Sequence, residues 1–178
     1  MSIKSKIKIG IFGGSFDPPH KGHYFLSSFI LQKLNLTKVY WIVAKKNPFK
    51  KKTFFSLEER VKKCKNLTKQ NKNIKVLFLD KKLRSSRTIN ILNHLKLTKK
   101  KSHFYLIIGS DNLISFHKWK EWQKITKISK IVVLSRKGYD QKARKSAIVK
   151  YLNKKNIIFV KNKKIDISST IIRNRLKK

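Results

Sequence analysis

Short apolar runs rich in β-branched residues recur along the chain. Each run is long enough for a buried strand and far shorter than the roughly 20 residues of a membrane span. The runs lie at Ile7–Phe12, Val39–Val43, Ile74–Leu79, Phe104–Ile108, Ile131–Leu134 and Ile157–Val160. Each run is predicted to form a strand.

Between these runs, apolar residues three or four positions apart indicate amphipathic helices. The clearest helix start is at Ser56, because Glu59 completes a capping box three residues later. Further helices are predicted around Leu26, Phe29, Ile30 and Leu34, over Thr88–Leu95, Trp119–Ile125 and Gln141–Leu152, and after Ser168.

The alternation of strand and helix predicts an α/β fold, a Rossmann-like doubly wound parallel sheet with helices on both faces. Such sheets bind ligands at the carboxyl ends of their strands. A chain of 178 residues can bury one sizeable core, so we predict a single domain spanning residues 1–178.

Lysines interrupt the N-terminal apolar residues, which is unlike a signal peptide. The only cysteine, Cys64, lies in a lysine-rich helical segment without neighbours that would indicate a nucleophile or a metal ligand. We expect a cytoplasmic protein without membrane contact, in which Cys64 is structural.

The formal net charge is +38 at pH 7, an excess that favours a polyanionic partner such as RNA or DNA. Only seven of the 46 basic residues are arginines, and lysines occupy nearly every segment, as an AT-rich coding sequence would impose. The chain has no zinc-ligand array and no aromatic RNA-binding motif. Nucleic acid is expected to bind only non-specifically, through this charge.

The stretch GIFGGSFDPPHKGH, Gly10 to His23, concentrates glycine, proline and histidine. Gly13 and Gly14 are predicted to form a turn after the first strand, where backbone N–H groups can approach a phosphate. The spacing fits neither a P-loop nor the Gly-x-Gly-x-x-Gly of dinucleotide folds. His23 lies where the next helix is predicted to begin, a position that favours anions, and its three-residue spacing from His20 can place both imidazoles on one side.

Two alternatives for the histidine pair stay open, a metal site and a structural turn. A metal site needs a third ligand, and the other histidines, at positions 94, 103 and 117, have no metal-like spacing. No metal ligand is predicted.

Five segments resemble motifs of the nucleotidyltransferase superfamily, in particular of bacterial nicotinate-nucleotide adenylyltransferases. GGSFDPPHKGH is similar to the family's Gly-Gly-Ser/Thr-Phe-Asp-Pro-x-His-x-Gly-His, and ISSTIIRNRL, Ile167 to Leu176, to its Ile-Ser-Ser-Thr-x-Ile-Arg. The others are SSRTINIL (Ser85–Leu92), IIGSDNLISFHKW (Ile107–Trp119) and VLSRKGY (Val133–Tyr139). The resemblance covers nearly the whole chain.

The resemblance implies transfer of the adenylyl group of ATP to the phosphate of nicotinate mononucleotide, giving deamido-NAD and pyrophosphate. A phosphate monoester is already anionic at neutral pH, so its oxygen needs no general base. Catalysis then rests on in-line positioning and on donors aimed at the charge that develops on the phosphoryl oxygens. Mg²⁺ is expected to enter with ATP, bound mainly by phosphate oxygens and water.

By resemblance, His20, His23 and Arg173 are the expected catalytic residues, and all three also contact ATP. The rest of the expected ATP site comprises Gly13, Gly14, Ser15, Phe16, Gly109, Asp111, Ile167, Ser168, Ser169 and Thr170. Nicotinate mononucleotide is expected to meet Thr88, Trp119, Arg136 and Lys50.

Simpler interpretations of some residues stay open. Asp111 could cap the next helix, and Ser168–Thr170 could be ordinary capping residues. Trp119 could lie in the core, a position that is also expected for Trp122. Arg173 could be a solvated charge. Lys50 cannot be distinguished from its neighbours Lys45, Lys46, Lys51 and Lys52.

Two departures from the family pattern fall on the side expected to meet nicotinate mononucleotide. Arg87 replaces the usual aromatic residue before the threonine, and NPFKKK, Asn47 to Lys52, only loosely resembles Pro-Pro-His-Lys. The rivals within the superfamily are phosphopantetheine adenylyltransferase and the cytidylyltransferases, against which Trp119 and the Ser-x-Thr stretch argue. The rival of another class is a basic RNA-binding protein. The oligomeric state is not predicted.

Overall fold

The computed structural model describes residues 7–45, 53–152, 155–162 and 169–176. Within them, a six-stranded sheet has the order β3-β2-β1-β4-β5-β6. The strands are β1 (Ile7–Gly14), β2 (Lys38–Val43), β3 (Ile74–Leu77), β4 (Ser102–Gly109), β5 (Ser129–Leu134) and β6 (Ile157–Val160). β2 is parallel to β3, and β5 is parallel to both β4 and β6. The predicted α/β fold with a Rossmann-like parallel sheet is confirmed, since doubly wound folds adopt this strand order.

Helices connect the strands. They are α1 (Lys21–Lys33), α2 (Leu57–Thr68), α3 (Asp80–Leu83), α4 (Thr88–Thr98), α5 (Ser110–Ile114), α6 (Trp122–Ile128), α7 (Asp140–Arg144), α8 (Ala147–Tyr151) and α9 (Ser169–Leu176). A 3-10 helix, Phe116–Lys118, follows α5. The predicted short helix after Ser168 corresponds to α9.

Two inner strands of the sheet, β2 and β5, are covered on both faces. Val39–Val43 in β2 and Ile131–Leu134 in β5 are buried at every position. Successive side chains of a strand point to opposite faces, so an unbroken buried run requires cover on both sides. This explains why these strands read as continuous apolar runs.

The start of α2 follows from local chemistry. The Glu59 backbone N–H donates to Ser56 Oγ at 3.2 Å, and the Ser56 N–H donates to Glu59 Oε2 at 2.8 Å. The predicted capping box is confirmed. The Ser56 backbone N–H, as the main cause, lowers the pKa of the Glu59 carboxyl.

Two predicted helices are wrong in part. The segment Trp119–Ile125 is not helical at its start, because Glu121 has a left-handed φ of 54° and α6 begins only at Trp122. The segment Gln141–Leu152 is interrupted before Ser146, which has extended backbone and begins α8 as its N-cap. Apolar spacing extends across both breaks, which is why the periodicity predicted longer helices.

Two further differences concern strand ends. β1 continues through Gly14, so the predicted turn at Gly13 and Gly14 is wrong. β3 ends at Leu77, before the predicted end at Leu79, and the chain then forms α3, which the sequence did not predict.

Contacts group the described residues into two compact units. One comprises residues 7–10, 87–152 and 155–162, and the other comprises residues 11–45, 53–86 and 169–176. The single domain over residues 1–178 stays a prediction. Among the described residues, no helix is both long enough and apolar enough to cross a membrane.

Cys64 is fully buried in α2. Burial raises the pKa of its thiol to about 12, and the nearby Arg60 guanidinium offsets part of that effect. The nucleophilic form of cysteine is the thiolate. Both the burial of this thiol and its raised pKa therefore protect it from electrophiles.

We predict that Cys64 resists iodoacetamide in the native protein at pH 8, where only about one thiol in ten thousand is ionised. In denaturant the same thiol should be alkylated completely. Mass spectrometry of both samples after equal times measures the difference. Equal labelling of native and unfolded protein would show that the thiol is accessible.

Candidate functional site

The chain turns sharply at Phe16, just after β1. Phe16 has a left-handed φ of 47°, unusual for a residue with a side chain, and is 3% exposed. Its ring stacks on Trp41 with centroids 4.9 Å apart and an angle of 14° between the rings. Burial of the ring therefore holds a backbone conformation that glycine would adopt more easily.

Gly13 and Gly14 lie in extended backbone at the end of β1. Among the described residues, a Cβ added at Gly13 would meet no atom within 4 Å, whereas one at Gly14 would contact the Phe16 ring at 3.5 Å. No residue of the described part of the chain fills the space beside Gly13, which would let a ligand approach the main chain closely.

His20 and His23 stand side by side at the start of α1. His20 is the N-cap, and the two ring centroids are 3.8 Å apart. Their predicted placement on one side is confirmed, although the helix begins at Lys21 and not at His23. The His20 backbone N–H donates to His23 Nδ1 at 3.2 Å. Since Nδ1 accepts, the neutral His23 ring carries its proton on Nε2 and can donate from there.

Buried neighbours set the position of His23. Its ring lies 5.0 Å from Phe16 and 6.0 Å from Trp41, centroid to centroid. The Ser27 hydroxyl donates to the His23 carbonyl at 2.9 Å and accepts from Trp41 Nε1 at 2.7 Å. The imidazole is therefore supported by a packed aromatic cluster and a hydrogen-bonded chain.

The N-terminal and C-terminal motifs meet. Ser169 Oγ donates to the Pro18 carbonyl at 2.8 Å, and Arg173 Nη1 donates to the Asp17 carbonyl. Arg173 Nη2 also donates to Thr170 Oγ1 at 3.0 Å. The Arg173 side chain is only 17% exposed, so its interpretation as a solvated charge is wrong.

Asp17 is buried beneath this junction. Its carboxylate accepts the backbone N–H groups of Phe54 at 2.8 Å and Phe55 at 2.9 Å. It also lies 4.0 Å from Arg173 Nη1. Asp17 thus links the N-terminal motif to the residues that precede α2.

Gly109, Asp111 and Arg136 form a second group, in the other compact unit. Asp111 Oδ2 accepts from Arg136 Nη1 at 3.2 Å. A Cβ at Gly109 would lie 2.3 Å from Asp111 Oδ1, so glycine leaves the room that this carboxylate occupies. The N-cap of α5 is Gly109, and Asp111 is not a cap. Asp111 Oδ1 is buried without a hydrogen-bond partner among the described residues.

Thr88 and Trp119 belong to the same unit as that second group. Thr88 is the first residue of α4, so its N–H has no partner within the helix. Trp119 is half-buried, with its ring centroid 4.9 Å from that of Phe116, and is not part of the core. Trp122 is also half-buried, against Tyr151, so its predicted core role is wrong.

Some predicted residues lie outside the described part of the chain. They are Lys46, Lys50, Lys51, Lys52, Ile167 and Ser168. Lys45 is described, and its backbone N–H donates to Asp80 Oδ2 at 2.6 Å. Within residues 7–45, 53–152, 155–162 and 169–176, no group of three His, Cys, Asp or Glu side chains could hold a metal ion.

Three buried charged residues in the same compact unit as the N-terminal motif were not predicted from the sequence: Asp17, Arg60 and Asp80. The composition could have pointed to these residues, because the chain has only 8 acidic residues and only seven arginines among its 46 basic residues. An uncommon charged residue in such a chain has a higher chance of a specific role.

Comparison with known proteins identifies the family. The cytidylyltransferase-like family profile matches residues 11–175. A Pelagibacter ubique protein named "Probable nicotinate-nucleotide adenylyltransferase" is 41% identical over 170 residues, covering 96% of this chain and 94% of that protein. An Agrobacterium fabrum protein of the same name is 39% identical over 131 residues, covering 73% of this chain and 70% of that protein.

A solved structure agrees in fold. Plasmodium falciparum nicotinic acid mononucleotide adenylyltransferase complexed with NaAD has a TM-score of 0.72 to this chain. The match is 20% identical and covers 94% of this chain and 83% of that one. The chain therefore belongs to the cytidylyltransferase-like family and, within it, to the nicotinate-nucleotide adenylyltransferases.

Proposed function

We propose that the protein transfers the adenylyl group of ATP to nicotinate mononucleotide, releasing pyrophosphate and forming deamido-NAD for NAD biosynthesis. The observation that carries this proposal is the junction of the two terminal motifs, where Ser169 and Arg173 donate to the carbonyls of Pro18 and Asp17. The relationship to proteins named for this activity supports it.

In this reaction a phosphate oxygen of nicotinate mononucleotide attacks the α-phosphorus of ATP. A new P–O bond forms as the bond to the β-phosphate oxygen breaks, and pyrophosphate leaves with its electron pair. The nucleophile is already an anion, so the protein must align the two substrates and stabilise growing negative charge. His20 and His23 Nε2–H are the proposed donors to the phosphates.

The start of α9 is proposed to hold the β- and γ-phosphates. The first N–H groups of a helix lack partners within it and favour anions. Ser168, Ser169, Thr170 and Arg173 would contribute there together with Ile167. The contacts of Arg173 with the Asp17 carbonyl and Thr170 hold its planar fork in one orientation, which suits a two-pronged contact with phosphate oxygens.

The remaining roles are proposals from the family resemblance. The adenine nucleotide would also meet Gly13, Gly14, Ser15, Phe16, Gly109 and Asp111. Asp111 Oδ1, which is buried without a partner among the described residues, suits a ribose hydroxyl. Thr88, Trp119, Arg136 and Lys50 would contact nicotinate mononucleotide.

The metal in this scheme belongs to the substrate. A divalent cation accompanies ATP, and we propose Mg²⁺, held by phosphate oxygens and water, as this ion prefers. The cytoplasm is the proposed location. Binding of nucleic acid through the high positive charge, only non-specifically, stays a prediction.

The deciding experiment incubates the protein with ATP and Mg²⁺ and one acceptor at a time. The acceptors are nicotinate mononucleotide, nicotinamide mononucleotide and phosphopantetheine. Mass spectrometry identifies deamido-NAD, NAD or dephospho-coenzyme A. Formation of dephospho-coenzyme A alone would replace the proposal with the phosphopantetheine activity.

We predict that His20→Ala and His23→Ala each lower kcat by about two to three orders of magnitude. ATP binding should change much less, because these donors act mainly on charge that develops during transfer. His103→Ala, which alters an exposed histidine at the start of β4, is the matched control and should behave as wild type. Near-normal kcat in both variants would remove the histidines from the mechanism.

Arg173→Lys should inactivate the enzyme, because a single ammonium cannot donate as a planar fork to several acceptors. Arg175→Lys, an exposed position on the same helix, serves as its control and should keep full activity. The measurement is kcat per folded molecule alongside Tm. If Arg173→Lys melts lower but keeps its activity, the role of Arg173 is structural.

Nicotinate mononucleotide should be preferred over the nicotinamide form by more than about a hundredfold in kcat/KM. The acid's carboxylate would accept backbone N–H groups near Thr88 with both oxygens. An amide offers one oxygen and one NH2 group, so it would leave an N–H unpaired at roughly 1–3 kcal/mol and also set two donors against each other. Thr88→Pro removes one such N–H at the first helical position, where proline is tolerated. Trp119→Ala removes the ring expected beside the pyridine.

Both substitutions should reduce this preference, and Trp122→Ala should leave it intact. The ratio of kcat/KM for the two mononucleotides at fixed salt measures the preference. A ratio unchanged by Thr88→Pro and Trp119→Ala would place the acceptor elsewhere.

A further inference from the structure

Arg60 is a buried cation that donates to main-chain oxygens of three separate segments. Its side chain is 1% exposed. Nη1 donates to the Ser15 carbonyl at 2.6 Å and to the Ala44 carbonyl at 2.8 Å, and Nη2 donates to the Lys45 carbonyl at 3.0 Å. Nε donates to the Phe55 carbonyl at 3.3 Å.

The bond to Ser15 orients the backbone of the N-terminal motif. In a trans peptide the C=O and the following N–H point in opposite directions. With the Ser15 carbonyl directed at Arg60, the Phe16 N–H must point away from Arg60. The arginine thereby determines which way the polar groups of this turn face.

The peptide between Ala44 and Lys45 is held from both sides. Its carbonyl accepts from Arg60 Nη1 at 2.8 Å, and its N–H donates to Asp80 Oδ2 at 2.6 Å. The Ala44 N–H donates in turn to the Gly14 carbonyl at 3.0 Å. The end of β2 is therefore clamped between two buried charged side chains.

Asp80 extends this series of hydrogen bonds to the Ser-x-Thr stretch, the segment proposed to meet the acceptor. Ser86 Oγ donates to Asp80 Oδ2, the same oxygen that accepts from Lys45. Ser86 lies two residues before Thr88 in the Ser-x-Thr stretch. A continuous series of contacts thus runs from Ser15 through Arg60, the Ala44 peptide and Asp80 to Ser86.

Burying these charges is costly, and the cost indicates a specific role. Burial lowers the pKa of the Arg60 guanidinium, and Asp17, followed by Cys64 and Asp80, offsets part of that effect. Arginine stays charged at neutral pH in proteins, so a full cation remains inside the protein. A buried ion is weak support for stability, whereas it can fix geometry.

We propose that Arg60 and Asp80 are positioning residues that couple the turn meeting ATP to the segment meeting the acceptor. Neither residue is placed in contact with a substrate. They act by clamping the Ala44–Lys45 peptide, and the inference rests on the proposed adenylyltransferase function.

The test measures kcat and both KM values, per folded molecule, for Arg60→Lys, Asp80→Asn and Ser86→Ala. Because misplacement by about 1 Å can cost a hundredfold in rate, we expect kcat to fall about a hundredfold in Arg60→Lys. We expect a roughly tenfold fall in Asp80→Asn, where a charge-assisted bond is replaced by a neutral one. In Ser86→Ala, KM for nicotinate mononucleotide should rise several-fold while KM for ATP is unchanged.

The double variant Arg60→Lys/Asp80→Asn distinguishes coupling from independent effects. If both side chains hold the same peptide, the double variant should lose little more activity than Arg60→Lys alone. Effects that multiply, giving a loss of roughly a thousandfold, would overturn the coupling.

Amide resonances supply a readout that does not depend on activity. Asp80→Asn should shift the Lys45 amide, which it contacts, and also the Phe16 amide, which it does not. A Phe16 amide that stays unchanged would overturn the proposal, even if Arg60→Lys fails to fold.

Thr68→Val is the matched control, because Thr68 is a buried polar residue of the same helix whose hydroxyl donates to the Cys64 and Lys65 carbonyls of that helix. It should lower Tm and leave kcat per folded molecule unchanged. If the Arg60 and Asp80 variants behave in this way too, their role is structural and the proposal is wrong. Failure of the proposed function would differ, since the wild type itself would then form no deamido-NAD.

Discussion

The buried guanidinium of Arg60 donates hydrogen bonds to main-chain carbonyls just beyond the ends of two neighbouring strands, β1 and β2. After β1 and β2 end, the carbonyls of Ser15, Ala44 and Lys45 no longer have partners in the strand ladder and need other donors. Arg60 supplies them from one rigid plane, which a lysine ammonium could not do. Without that cation, buried carbonyls would stay unpaired at roughly 1–3 kcal/mol each, so both strand ends would have to rearrange.

The scarcity of acidic residues makes their placement informative. Of 8 acidic residues in a chain of net charge +38, Asp17, Asp80 and Asp140 each accept backbone N–H groups. These carboxylates hold backbone groups of loops by hydrogen bonds, and the chain as a whole keeps a strong positive charge. The proposed substrates, ATP and a mononucleotide, are both anionic and would be attracted by this charge, while the internal carboxylates keep their hydrogen-bond partners.

The two terminal motifs act as one structure although more than 140 residues separate them. Their contacts, Ser169 to Pro18 and Arg173 to Asp17, bring the start of α9 to the turn that follows β1. Transfer of an adenylyl group needs donors converging from several directions on a phosphate chain, and a single loop cannot supply them. The proposed phosphate site would therefore draw its donors from both ends of the sequence.

Local chemistry determined much of this protein from the sequence alone. Buried parallel strands read as apolar runs, Ser56 and Glu59 marked α2, and the three-residue spacing of His20 and His23 put them side by side. Tertiary contacts decided the rest. Phe16 turns the chain because its ring stacks on Trp41, and Arg60 reaches a carbonyl 45 residues away. Periodicity and capping depend on neighbours within a few residues, whereas these contacts exist only once the sheet has brought distant segments together.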